Sequence, residues 1–341
     1  MRAAKVGAFF TTYLICVKLK PMGATILLIL AAITFAGITG ANDGASLIAL
    51  NLSSKSFPPL VGLVALTVAI VLGPFILGTA VATTLAVGLT KFSASSGGES
   101  ALLAALGVTV AVMLFFTRLH LPSSVTQALT GSIIGIGLGL GLPVDGNTVA
   151  RVILILIAAP LAAGLVGTLT AALFERLRTS GSMRHRLGRL QAYSFGAQCV
   201  AYAANDSQKM IAVCAIAFGL ASHGHVDTTL PMQLLIGGAF FVGTCVGVAG
   251  LGGRLAKLLP AHPLHGISAG FASAPVVFIS ALAGSPVSMA QAQTSALVGA
   301  EVVINNYRRV RWQQASKIIL VWFTTLPTAV VLAAVVGWLM R

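Results

Sequence analysis

Two Asn-Asp pairs occupy the most unusual settings for chemistry in this sequence. Asn42-Asp43 lies within Gly40-Ala41-Asn42-Asp43-Gly44-Ala45-Ser46, and Asn205-Asp206 within Ala203-Ala204-Asn205-Asp206-Ser207-Gln208-Lys209, each inside an apolar stretch. A carboxylate is expensive in such a stretch and is usually functional. Adjacent Asn and Asp among Gly and Ala favour a local break in a helix, because short polar side chains compete for backbone hydrogen bonds. A broken helix frees carbonyls, and carbonyls with a carboxylate form a hard-oxygen site suited to Na⁺ or a proton. The competing structural reading is a buried cap in which Asp206 pairs with Lys209, three residues on and on the same helical face. Two such Asp at matching places weigh against that reading for both.

A second constellation lies downstream of each pair. PSSVTQALTGSIIG (Pro122–Gly135) and PVSMAQAQTSALVG (Pro286–Gly299) both begin with Pro, pass through small polar residues and reach Gly about four turns later. Pro at a helix start with Ser near the N-cap describes a short helix whose first N–H groups are unpaired. Such an end binds anions through those groups and its dipole. Two ends aimed at one point would clasp a small oxyanion with Ser123, Ser124, Thr126, Gln127, Ser288 and Gln291. Taken singly, either copy reads better as side chains bonding across packed helices; the duplication reverses that balance.

The elements that position these residues follow from composition and repetition. Of 341 residues, 57% are apolar and 8% charged, against about 25% charged in a soluble domain. Apolar runs of spanning length recur from end to end, so the fold class is an all-α polytopic membrane protein. The 21 Lys and Arg outnumber seven acids and gather in short loops, as the positive-inside rule requires; nucleic acid is excluded as a partner, and the lipid bilayer is implied. An offset of 163 residues aligns the Asn-Asp pairs and 164 aligns the two Pro segments. Apolar bias does not supply matching Pro, Ser, Gln and Thr, so the chain is an internal duplication. Its parts are an extension at 1–21, a membrane repeat at 22–174, a basic cytoplasmic loop at 175–190 and a second membrane repeat at 191–341. The apolar piece Val6–Val17 is too short to span, and its deletion is expected to leave activity intact. Ten apolar segments are expected, the Gly-rich ones as broken helices or re-entrant hairpins.

Duplicated membrane proteins with Gly/Pro-interrupted segments at matching positions point to transporters with a midplane site. An oxyanion does not enter beside two carboxylates at low dielectric unless cations enter first. If Asp43 and Asp206 each hold a cation, repulsion becomes attraction, and the result is cation–anion symport. An anion channel is the alternative from another class. An intramembrane enzyme is a distant third, since no nucleophile–base pair or nucleotide loop stands out. Four Cys without paired spacing imply neither disulfide nor zinc.

The two Asn-Asp segments and two Pro-x-Ser segments, in this order, resemble the signatures of the inorganic phosphate transporter (PiT) family. Phe195-Gly196-Ala197-Gln198, Val310-Arg311-Trp312 and Trp322-Phe323-Thr324-Thr325-Leu326-Pro327 match further, and the likeness runs from Met22 to the C-terminus. The resemblance implies two inverted repeats, alternating access, and phosphate uptake coupled to Na⁺ or H⁺ without other cofactors. It assigns Asn42, Asp43, Asn205, Asp206, Gln208, Ser124, Thr126 and Ser288 to the substrate and cation sites. Departures stand at Gln127 and Gln291, where the family pattern has His, at Ala290 for Thr, and at Ser46 and Leu50. Losing two His removes groups that titrate near neutral pH. Sulfate, a tetrahedral oxyanion of the same shape, is the competing substrate; an acceptor such as Asp43 or Asp206 favours the protonated phosphate.

Other features carry less. Glu301 reads either as a third carboxylate in the cation path or as a partner of the Arg308, Arg309, Arg311 run, which with Trp312 anchors a helix end at the headgroups. His262 and His265 read as a solvated loop. Lys209 either neutralises Asp206 or contacts the anion. A homo-oligomer is left open.

Overall fold

A computed structural model describes residues 22–52, 58–90, 96–119, 123–178, 183–222, 225–258, 263–310 and 312–341. The extension at 1–21, Pro122 and His262 lie outside the described residues. The first half contains α1 (Met22–Thr39), which runs through a π-turn (Gly40–Gly44) into α2 (Ala45–Leu52). It continues with α3 (Pro59–Leu77), α4 (Ala80–Thr83) with a second π-turn (Thr84–Gly88), α5 (Ser96–Arg118), α6 (Val125–Leu140) and α7 (Gly146–Arg178). The second half contains α8 (Met183–Ala204), α9 (Asp206–Ala217), α10 (Leu230–Leu258), α11 (Pro263–Leu282), α12 (Met289–Ile304) and α13 (Trp312–Leu339). A two-residue β-ribbon, β1 (Ala221–Ser222) with β2 (His225–Val226), links α9 to α10.

Among the described residues, seven helices are long and apolar enough to cross a bilayer. Their outward faces are those of a membrane protein. Along α7, Leu154, Leu161, Leu165, Leu169 and Leu173 are all exposed, a stripe repeating at helical spacing that lipid satisfies and water does not. The segments read as Leu119–Leu142 and Pro286–Ile304 hold helices of only 16 residues each, α6 and α12. At 1.5 Å per residue these are about 24 Å long, short of the roughly 30 Å hydrocarbon core. The basic stretch read as a loop over 175–190 is largely helical: α7 continues to Arg178 and α8 begins at Met183.

The two halves present their elements in matching order and pack crosswise. Helix α6 of the first half lies on α13 of the second, and α12 of the second on α7 of the first. Helices α1 and α3 likewise cross to α10 and α8. Small residues make these approaches close. A Cβ on Gly131 would meet the Leu326 carbonyl at 2.7 Å, and one on Gly167 would meet the Ala296 Cα at 2.7 Å. Close backbone contact of this kind is how helices associate where lipid supplies no hydrophobic drive.

The two Asn-Asp segments are not broken alike, which corrects the expectation of a break at each. In the first, Gly40–Gly44 is a single π-turn inside a continuous helix. The reason is packing: Gly40 lies against the Phe240 backbone of α10, and Gly44 against Thr244 and the Phe240 ring, so the chain stays wound against its neighbour. In the second, Asn205 leaves helical geometry at φ −121° and ψ −67°, separating α8 from α9.

Candidate functional site

The short helices begin in nearly identical fashion. Ser124 caps α6 at φ −98° and ψ 119°, its hydroxyl accepting from the Gln127 N–H at 3.3 Å. Ser288 caps α12 at φ −94° and ψ 117°, accepting from the Gln291 N–H at 3.4 Å. An extended N-cap residue whose oxygen takes the N–H three residues on is what Ser supplies at a helix start. The two starts meet in the protein interior, where the Thr126 hydroxyl donates to the Val287 carbonyl at 3.4 Å.

The second Asn-Asp pair joins them. Asn205 accepts from the Val287 N–H at 2.9 Å and donates to the Ser285 carbonyl at 3.0 Å, stitching the entry of α12 to the α8–α9 break. Asp206 accepts from the Met289 N–H, at 3.3 Å and 3.2 Å to its two oxygens, so a carboxylate of the protein already sits on the first amide of α12. That placement suits the positive end of a helix. Lys209, fully buried, donates to both Asp206 Oδ1 and Thr126 Oγ1. The same ammonium lies 4.0 Å from Asp43 Oδ2, which comes from the π-turn of the other half. Asn42 orients that carboxylate by donating to its Oδ1 at 2.8 Å.

Two carboxylates, one from each half, therefore share one buried lysine beside the N-terminal ends of both short helices. The pairing of Lys209 with Asp206 expected of a structural cap is present, yet Asp43 from the opposite half approaches the same amine. Nearby, Gln127 Oε1 and both polar atoms of Gln291 are buried without a hydrogen-bond partner among the described residues. Nearly all buried polar groups are paired in folded proteins, which makes these atoms at the starts of the two short helices candidates for contact with a polar ligand. Ser123, by contrast, is only half-buried.

Three residues singled out earlier have other surroundings. Gln208 is fully engaged, accepting from the Val81 and Ala82 N–H groups at 2.8 and 3.0 Å and donating to the Gly78 and Ala204 carbonyls at 3.0 and 2.6 Å. It caps α4 and fixes the α3–α4 turn. His265 is not in a solvated loop: it is buried on α11, and its Nε2 lies 2.9 Å from Glu301. Glu301 also accepts from Asn305 at 2.9 Å, so among the described residues its partners are a histidine and an asparagine. It stands twelve residues beyond Met289, about 18 Å along α12, far from Asp43 and Asp206.

Sequence reasoning missed Tyr202. It is fully buried, its ring packs on Phe240 at 5.6 Å, and its hydroxyl has no hydrogen-bond partner among the described residues. The signal was available: the 163-residue offset places Tyr202 opposite Thr39, three residues before each Asn.

A duplicated, multi-pass helical membrane protein with a buried charged cluster between its halves defines a transport protein rather than an enzyme. Residues 39–188 and 179–333 each match the sequence model of the phosphate transporter family, and the chain belongs to that family. A probable low-affinity inorganic phosphate transporter of Bacillus subtilis (strain 168) is 24% identical over 328 residues, covering 93% of this chain and 97% of its own. One of the same description from Mycobacterium bovis is 29% identical over 321 residues, covering 89% and 74%. Among solved structures, the sodium-dependent phosphate transporter superposes with a TM-score of 0.72 at 17% identity, covering 93% of this chain and 99% of its own. That likeness is one of fold.

Proposed function

We propose that this protein is a secondary active carrier that moves inorganic phosphate together with a cation, Na⁺ or H⁺, by alternating access. The observation that carries the reading is the convergence of Asp43, Asp206 and Lys209 at the starts of α6 and α12. Two ionised carboxylates against one ammonium leave the cluster with one net negative charge, and a dianion is repelled from such a site at low dielectric. One bound cation neutralises the cluster, and the anion can then engage the helix ends and the amides of Gln127 and Gln291. Coupling thus comes from charge order: the cation enters first because the anion cannot. Monohydrogen phosphate carries a proton that Asp43 can accept in a hydrogen bond, which sulfate at neutral pH does not offer. The family and the phosphate-transporting relatives support the same substrate. The crossed contacts of α6 with α13 and of α12 with α7 provide units that can rock about the central cluster.

Reconstitution into proteoliposomes tests the reading. Labelled phosphate should accumulate when a Na⁺ or pH gradient is imposed, and Asp43→Asn and Asp206→Asn should each abolish that accumulation while the protein still inserts. Equilibration that ignores both gradients would indicate an anion channel and refute symport. Complete suppression by equimolar sulfate would move the substrate assignment to sulfate.

A further inference from the structure

We infer that phosphate moves between the central cluster and the end of the protein bearing the basic stretch at 175–190 along a polar seam of the second half, lined by Gln191, Ser194 and Gln198 of α8 and by Gln293 of α12. The inference rests on the carrier reading for the identity of the anion, and adds to it a route that only one half provides at these positions.

On α8 the three residues stand at intervals of three and four, the spacing of one helical face, and all are buried, as is Gln293. The same face continues to Asn205 at the α8–α9 break, fourteen residues from Gln191, so the seam runs about 21 Å outward from the cluster. Its groups are bonded to one another across three helices. Gln293 donates to Gln198 Oε1 at 3.0 Å, Gln198 to Ser194 Oγ at 3.5 Å, and Ser194 to the Ile267 carbonyl of α11 at 3.2 Å. Opposite that chain α11 presents bare backbone, since a Cβ on Gly270 would fall on the Gln198 amide and the Ser194 hydroxyl. At the outer end Arg189 is exposed, two residues before Gln191, and a positive mouth raises the local concentration of anions.

Polar side chains that merely join packed helices would make the same bonds, and the duplication separates the two readings. At the 163-residue offset Gln191, Ser194 and Gln198 match Leu28, Ala31 and Phe35 of α1, and at 164 Gln293 matches Leu129 of α6. Leu28, Phe35 and Leu129 are fully buried. One half therefore packs these positions with apolar side chains, so the packing does not require amides in the other. Buried amides and hydroxyls in membrane helices are expensive and mark the paths of hydrophilic substrates. Here they supply N–H and O–H donors that can replace water around an oxyanion, with no fixed charge to trap it. In this structure the Gln293–Gln198 bond closes the seam, and its opening is the step that admits the anion.

Gln198→Leu combined with Gln293→Leu removes both amides at nearly constant volume. In proteoliposomes this double variant should take up labelled phosphate about tenfold more slowly than the wild type, while the purified protein in detergent, titrated calorimetrically with phosphate in NaCl, keeps the wild-type Kd within about threefold. Uptake within about twofold of wild type would overturn the inference. So would a Kd raised as far as uptake falls, because the amides would then belong to the cluster. A cysteine probe supplies a readout that does not depend on transport. With Cys16, Cys199, Cys214 and Cys245 replaced by Ala, Ser194→Cys should react with a small anionic thiosulfonate about tenfold faster than Ala31→Cys at the matching place, and phosphate should slow that reaction. Equal rates at the two positions, or an inert Ser194→Cys, would overturn the inference. Gradient-driven uptake with an inert Ser194→Cys refutes the seam and keeps the carrier. A reactive Ser194→Cys protected by phosphate, in a protein that only equilibrates phosphate, keeps the seam and refutes the carrier.

Discussion

Replacing Lys209 by Met removes one ammonium while nearly preserving side-chain volume, and its consequences can be worked from the distances. The amine is hydrogen-bonded to Asp206 and lies 4.0 Å from Asp43 Oδ2, with all three groups buried. At an effective dielectric near 20, unit charges at that separation interact by about 4 kcal/mol, and the Asp206 pair is closer. Deleting one partner of a buried pair costs about 3–5 kcal/mol, because the remaining charge is left uncompensated. Lys209→Met should therefore lower the unfolding free energy in lipid–detergent micelles by about that amount. Asp206→Asn in the same chain removes the stranded charge, so the double variant should be more stable than Lys209→Met alone. The resulting coupling energy should be about 2–3 kcal/mol, within the range for residues in direct contact. The assay is a denaturant titration of wild type, both single variants and the double variant, closed as a cycle. Additive single effects, or a Lys209→Met variant as stable as the wild type, would show that the amine does not pair with Asp206 in the folded protein.

Two further outcomes follow from the packing. Gly135→Val places a Cβ 2.8 Å from the Ala333 Cβ and against the Val330 carbonyl; it should cost about 1–3 kcal/mol of stability by pushing α6 off α13, and an unchanged melting temperature would refute the close approach. Glu301→Gln, at the far end of α12 with His265 as its partner, should leave the rate of phosphate uptake in proteoliposomes within about twofold of wild type, and loss of uptake would return Glu301 to the cation path.

Much of the site was legible because the duplication doubles every signal. Ser124 and Ser288 were readable as caps from Pro, Ser and the apolar run that follows, and their backbone angles agree within a few degrees. What the residues did not reveal is how each half is used by the other. Gln208 sits beside Asp206 in sequence, yet its amide serves the start of α4, more than a hundred residues upstream. GANDG and AANDS look like equal helix breakers, but Gly40 and Gly44 admit α10 closely enough to keep the first helix wound, whereas Asn205 is drawn out of the helix by the backbone at 285–287. His265 reads as solvated in the sequence because no Cys or acid stands near it there, and only tertiary packing brings Glu301 to its ring. Each miss concerns a long-range partner, which local pattern does not encode.

The crosswise packing also sets an order of assembly. Helix α6 carries its small-residue face, Gly131, Gly135 and Gly139, toward Leu326, Val330 and Ala334, and these belong to α13, which is made after the rest of the second half described above. Until α13 is made, this 16-residue helix packs on α5 of its own half, and the face that bears the three glycines is left uncovered. A chain truncated before Trp312 would therefore harm the first half, which it contains in full, as much as the second.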